Sequence, residues 1–181
     1  MKTGETLIAF PSLTEGVLIK RYKRFLADIE LDGGDVVTAH CANTGPMIGL
    51  LSEGCRVRLR YCPSPQRKLD WSWEQVKVFS SVINSGCWVG INTSLPNKIV
   101  RLAIESNCLL NELGHLESIR QEVTYGKDRK SRIDLLVEPI AESSDTRNIY
   151  IEVKNSTWTK GSTALFPDTI TQRGQKHMRE L

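Results

Sequence analysis

Long apolar runs are missing from this chain. No window approaches the ~18 consecutive apolar residues that a membrane-crossing helix needs. The first sixteen residues carry a single lysine, Lys2, and an apolar patch running only from Leu7 to Phe10, too little for a secretory leader. Cysteine is sparse and odd in number, five in 181 residues, and no C-x-x-C occurs. That counts against disulfide frameworks, zinc ribbons and thioredoxin-type sites. The expected compartment is therefore the reducing cytoplasm, with the thiols serving as small buried hydrophobes. An excess of one charge is lacking too: 24 Lys+Arg against 21 Asp+Glu leaves +3. A nucleic-acid argument must then rest on local clusters, not bulk charge. Repeats and low-complexity segments are absent. What is present is ordinary globular composition, 40% apolar and 25% charged, long enough for one domain or two small ones.

The chain has two textures. Residues 1–88 read as short strands separated by turns. Leu26 to Leu31 alternates, Asp32-Gly33-Gly34-Asp35 is a turn, and Val36 to Ala39 resumes the strand. From Cys55 to Tyr61 the alternation is strict, placing Arg56, Arg58 and Arg60 on one face and Val57, Leu59 and Tyr61 on the other. Trp71 to Phe79 is a further strand. About five such strands predict a small barrel, the oligonucleotide-binding type being one option. Residues 89–181 change period. A helix is expected from Pro96 to Glu105 with Ile99, Leu102 and Ala103 on its packed face. Strands follow at 117–125, 131–138 and 148–155, and a second helix opens at Phe166-Pro167-Asp168. The fold class is α+β: a barrel followed by an α/β domain.

The chemistry lies in the second region. Asp134 interrupts the apolar run from Ile133 to Val137, and a carboxylate there is costly unless paired or metal-bound. In the next strand Ile149, Ile151 and Val153 share one face, and Glu152 and Lys154 share the other. If the two strands are neighbours, the carboxylates of Asp134 and Glu152 converge. Two acidic oxygen donors suit Mg²⁺, which keeps several waters and binds phosphate. Lys154 beside them can orient or deprotonate water and neutralise phosphate charge. Glu122, on the preceding strand, is a candidate third acid. An aspartate, 17 intervening residues and then E-x-K is the pattern of the PD-(D/E)XK nucleases. The competing reading is structural: an Asp134–Lys154 ion pair with Glu152 at a strand edge.

More specific blocks run along the chain in order. They are Arg21-Tyr22-Lys23-Arg24-Phe25, His40-Cys41-Ala42-Asn43-Thr44-Gly45, Val89-Gly90-Ile91-Asn92-Thr93 with Pro96-Asn97, Ser131-Arg132-Ile133-Asp134, Glu152-Val153-Lys154-Asn155, and Phe166-Pro167-Asp168 through Arg173-Gly174 to Glu180-Leu181. In these blocks the chain resembles the sugar fermentation stimulation protein A family. The resemblance implies a DNA-binding protein with an oligonucleotide-binding-type barrel and a PD-(D/E)XK nuclease-like domain. It further implies metal-site roles for Asp134 and Glu152, Lys154 as the catalytic-type lysine, Glu122 as an extra acid, and Mg²⁺ or Mn²⁺ as the ion. Ala42 stands where the family usually has proline. Family members also continue for several tens of residues past Arg179-Glu180-Leu181, so a shortened second domain of reduced stability is expected.

Two basic clusters stand out. Lys20-Arg21-Tyr22-Lys23-Arg24 holds four positive charges in five residues, and Lys127 to Arg132, including Arg129 and Lys130, holds four in six. Such groups contact phosphates. Arg56, Arg58 and Arg60 add a one-sided stripe. Arg173 and Lys176 could project from the second helix, with His177 a weaker candidate. Each cluster alone reads better as a solvated face; their coincidence with a metal-type site is what favours DNA. Trp71 and Trp73 suit either base stacking or the core. His40 and Cys41, adjacent in a strand, point to opposite faces, so that block reads as a structural turn. Two functions stay open: a metal-dependent DNA nuclease, or a catalytically silent DNA-binding regulator. RNA is a weaker partner, and no membrane partner is expected.

Overall fold

The structure, a computed structural model, describes residues 6–80, 84–126, 130–160, 163–166, 172, 175 and 179. The chain divides into two compact units, one of Phe10–Ser94 with Ser156–Asp168, the other of Leu95–Asn155 with Met1–Ala9 and Thr169–Leu181.

The first unit is a closed five-stranded barrel of the oligonucleotide-binding type. Its strands are β1 (Thr14–Tyr22), β2 (Leu26–Leu31), β3 (Val36–Cys41), β4 (Arg56–Tyr61) and β5 (Trp71–Ser80), and β6 (Ser85–Gly90) extends the sheet beyond β5. The strand order is β3-β2-β1-β4-β5-β6, and a parallel β3–β5 pairing at Ala39↔Trp71 and Cys41↔Trp73 closes the cylinder. The alternation in β4 is realised: Val57 and Leu59 are fully buried while the arginines face outward. Tyr61, expected on the inner face, ends the strand half exposed and tilted against Trp71, ring centroids 4.9 Å apart. Trp73 is a core residue, fully buried, with its indole N–H donated to the Gln75 carbonyl at 2.8 Å.

Glu74 sits where β4 and β5 slip by one residue, between the pairs Arg58↔Gln75 and Leu59↔Trp73. Its side chain is only 3% exposed. Arg60 Nε, at 2.9 Å, and the Asn92 amide, at 2.8 Å, donate to its two oxygens. This buried acid is thus paired within the barrel itself.

The second unit is an antiparallel sheet, β7 (Leu116–Tyr125), β8 (Ser131–Pro139) and β9 (Ile149–Ile151), with β8 central, preceded by α1 (Leu95–Glu105) and a short α2 (Leu110–Leu113). Leu135, Leu136 and Val137 are all buried, the continuous apolar run of a strand covered on both faces. Val100 and Ile104 of α1 pack on Leu135 and Val137. The packed stripe is therefore offset by one position from the expected one, and Ile99 is 37% exposed.

Two further departures concern extents. The strand expected at 148–155 stops at Ile151, so Glu152 and Lys154 lie just past its end. A hairpin, β10 (Trp158–Lys160) with β11 (Thr163–Leu165), follows where no strand was expected, and it clusters with the barrel unit. Of the second helix only Gln172, Gln175 and Arg179 are described, all helical; Arg173 and Lys176, like Arg129, lie outside the described residues. Among the described residues no helix is long and apolar enough to cross a membrane.

Gly16 marks a close approach of β1 to β2. A Cβ there would lie 2.5 Å from the Glu30 carbonyl oxygen and 2.9 Å from Ile29 Cγ2. The nearest neighbour is backbone and cannot yield, which is what a strand-interior glycine commonly signals. Gly16→Ala is expected to cost about 1–3 kcal/mol, read as a lower urea midpoint at unchanged slope. A midpoint equal to that of the unaltered chain contradicts this packing.

Candidate functional site

Asp134 occupies the fourth position of β8, between Ile133 and Leu135, both fully buried. The last β8–β9 pair is Leu135↔Ile151. One step further along that antiparallel register Asp134 stands opposite Glu152, just beyond the strand end. The sheet thus brings together the two acids that 17 intervening residues separate in the sequence. Asp134 Oδ2 accepts the Val153 backbone N–H at 2.7 Å, and Oδ1 accepts the Asn97 side-chain amide at 2.8 Å. Both donors are neutral.

Lys154 does not pair with Asp134. Its ammonium contacts Glu152 Oε1, with Glu152 14% and Lys154 43% exposed. The two alternating positions do face the same way, as a period of two requires.

Glu122 is directed elsewhere. The pairs Gln121↔Leu135 and Val123↔Ile133 put it opposite Asp134, but its backbone is left-handed, φ 53°. Its carboxylate meets Arg132 at 3.4 Å, and both side chains are more than half exposed. A positive φ costs a non-glycine residue about 1–3 kcal/mol. Among the described residues no group of three or more His, Cys, Asp or Glu gathers as a metal cluster. The register sets Asp134 and Glu152 opposite each other, and two carboxylates are a hard donor set that suits Mg²⁺, Ca²⁺ or Mn²⁺ rather than zinc.

Asn97 was not among the residues singled out for chemistry; it entered only as part of the Pro96-Asn97 block. A signal was available. Positions 97, 100 and 104 fall on one helical face, so the face that packs on β8 carries an amide at its N-terminal end.

The basic clusters take different forms. In the β1–β2 turn, Lys23 and Arg24 both adopt left-handed backbone, φ 47° and 67°, and are exposed. Arg21 braces this turn against the 43–45 loop: its Nη2 donates to the carbonyls of Arg24 (2.7 Å), Asn43 (2.9 Å) and Gly45 (3.0 Å). Arg24 Nε adds a bond to Thr44 O at 3.0 Å. Two separate sequence blocks thus form one device. Cys41 within it is fully buried and His40 exposed. Burial pushes the Cys41 thiol up, with the Arg21 guanidinium pulling the other way, which is the setting of an inert thiol.

The arginine stripe is charge-matched. Arg56 forks onto Asp32 and reaches Glu15 at 2.8 Å. Arg58 forks onto Glu15 at 2.8 and 2.9 Å and lies 4.0 Å above the Trp88 ring. Arg60 is held by Glu74. In the second unit Lys130 and Arg132 are exposed.

Comparison with known proteins places these features. Residues 19–91 match the SfsA N-terminal OB domain and residues 94–181 the sugar fermentation stimulation protein RE domain. A sugar fermentation stimulation protein homolog of Prochlorococcus marinus (strain NATL2A) is 65% identical over 181 residues, spanning 100% of this chain and 70% of that protein. Another, from Synechococcus sp. (strain WH7803), is 64% identical over 99% of this chain and 70% of its own length. The solved structure of Pyrococcus furiosus SfsA in complex with Ca²⁺ superposes with a TM-score of 0.78 at 25% identity, covering 98% of this chain and 69% of that one.

The matched arginine stripe has a titration consequence. The Arg56 and Arg58 guanidinium groups hold Glu15 below its ordinary 4.5, and Arg56 holds Asp32 below its ordinary 3.8. A depressed folded value means stability that is present above the unfolded pKa and lost as pH falls through the folded one. Melting temperature is expected to hold above about pH 4.5 and to drop below it. A Glu15→Gln, Asp32→Asn variant is expected to lose less of its own stability over pH 5 to 2. Parallel pH profiles for the two proteins contradict the pairing.

Proposed function

The chain belongs to the sugar fermentation stimulation protein family, and on that premise we propose that it is a DNA-binding protein carrying a metal-dependent phosphodiesterase site. The observation that carries this reading is the meeting of Asp134, Glu152 and Lys154 at the β8–β9 strand ends. Asp134 uses one acceptor position on each oxygen for a neutral N–H, and a carboxylate oxygen offers two. One lone pair on each oxygen is left for a cation, and among the described residues no positive side chain is bonded to that carboxylate. That donor chemistry fits a divalent, oxygen-seeking ion, and a family relative was solved in complex with Ca²⁺. Asp134 and Glu152 would hold the ion, with waters completing its shell. The chemistry such an ion supplies is Lewis-acid charge on a phosphate oxygen and acidification of a bound water.

The chain's own residues do the rest. Lys154 rests on Glu152 and, with Glu152 engaged by a cation, its ammonium is released to orient water or neutralise charge on the scissile phosphate. On the barrel, the exposed Lys23–Arg24 turn supplies phosphate contacts, and Lys130 and Arg132 supply them beside β8. Arg21 is committed to carbonyl oxygens, and Arg56, Arg58 and Arg60 to carboxylates. Those four shape the surface rather than grip the backbone. The second reading, a silent DNA binder, draws on the Glu152–Lys154 pair, which neutralises one of the two acids.

The test uses the full chain with labelled single-stranded, duplex and branched DNA and Mg²⁺ or Mn²⁺. Asp134→Ala is expected to lose both Ca²⁺ binding and cleavage. Lys154→Met is expected to keep Ca²⁺ binding and lose cleavage by about 10²-fold or more. DNA binding with no cleavage under any ion leaves the silent binder as the function. Lys23→Ala and Arg24→Ala are each expected to lower the salt slope of DNA binding by about one. An unchanged slope removes the turn from the contact surface.

A further inference from the structure

We propose that Asn97 is a positioning residue for this site, an uncharged bracket that sets the orientation of the Asp134 carboxylate and through it the affinity for the divalent ion. The proposal rests on the reading of Asp134 and Glu152 as ligands.

The rotation that turns an aspartate carboxylate about its last bond is soft. Here one donor meets each oxygen: Asn97 Nδ2 on Oδ1 at 2.8 Å and the Val153 N–H on Oδ2 at 2.7 Å. Two bonds to two oxygens fix the carboxylate plane and the direction of the remaining lone pairs. The Val153 donor is backbone, from the residue next to Glu152, so any side chain at 153 supplies it. Asn97 is the side-chain half of the bracket and comes from 37 positions away.

Its own placement is set by packing. Asn97 lies in the first turn of α1, on the face that continues through Val100 and Ile104. That face packs on Leu135 and Val137 of β8, the strand that carries Asp134. Helix and acid are thus seated on the same strand, and the Asn97–Asp134 bond is half-buried.

The chemistry of the donor matters as much as its position. A lysine or arginine here would also bond Asp134, but would cancel its charge and repel an incoming cation. Both bases nearby on α1 are kept away: Arg101 is tied to Glu105 at 2.7 Å and to Gln121, and Lys98 is exposed. The amide orients the carboxylate and leaves its charge to the metal. Outer partners of this kind typically govern metal affinity 10–100-fold.

The experiment titrates Ca²⁺ into the full chain by calorimetry and records the metal-free melting temperature of the same samples. Asn97→Ala is expected to weaken Ca²⁺ binding about 10–100-fold. Asn97→Ser, whose hydroxyl stops an atom short, is expected to behave alike and serves if the alanine variant does not fold. Val100→Ala is the control: it loosens α1 on β8 without touching the carboxylate, so it is expected to lower the melting temperature and leave affinity within twofold. A residue acting only as a staple between helix and strand would move melting temperature alone. Ca²⁺ binding lost with Asp134→Ala but unmoved by Asn97→Ala overturns this proposal and leaves the site reading standing. No Ca²⁺ binding by the unaltered chain, or binding that survives Asp134→Ala, overturns both.

Discussion

An aspartate placed between two fully buried apolar residues of a central strand is the constraint on which the α/β unit depends. Leaving such a carboxylate without partners is costly, and the surrounding elements are arranged to supply them. β9 ends at Ile151 and the chain then presents the Val153 N–H to one oxygen; α1 presents Asn97 to the other. The same arrangement puts Glu152 opposite and Lys154 on Glu152. Fold and site are therefore not separable here: the bonds that make Asp134 tolerable are those that aim it.

The barrel offers an internal comparison. Glu74 is also a carboxylate inside a strand, and it is more deeply buried. Its partners are an arginine and an amide, so its charge is cancelled by Arg60. Among the described residues Asp134 has no cationic partner of that sort, only two amide N–H donors. One acid is closed by an arginine; the other, half-buried, is bonded by neutral donors. Elsewhere the barrel matches charge with charge, Arg56 and Arg58 against Asp32 and Glu15. The unmatched cations on its surface include the strained Lys23–Arg24 turn that Arg21 braces.

Much of this was legible in the sequence because it depends on local periodicity. The β4 alternation, the helix after Pro96, and the shared side of Glu152 and Lys154 all follow from a period of two or 3.6. The barrel and the α/β domain also follow, from the spacing of the short strands and the change of period; the family resemblance added the DNA-binding and metal-site expectations. What escaped depends on partners far apart in the chain. No local pattern shows that Glu15, 43 positions before Arg58, neutralises an apparently free basic stripe. None shows that Asn97 reaches Asp134. Glu122 was misleading for a different reason: the register does place it opposite Asp134, but a single left-handed residue sends its carboxylate to Arg132. The offset of the α1 stripe by one position is tertiary in origin: Val100 and Ile104 are the positions that pack on Leu135 and Val137 of β8.

The most direct test is a crystal structure of the full chain grown with Ca²⁺. The account predicts an ion bound by Asp134 and Glu152 at about 2.3–2.6 Å, with the Lys154 ammonium moved off Glu152 and both N–H bonds to Asp134 retained. An intact Glu152–Lys154 pair with no ion at Asp134, at Ca²⁺ concentrations that saturate the protein elsewhere, would contradict it.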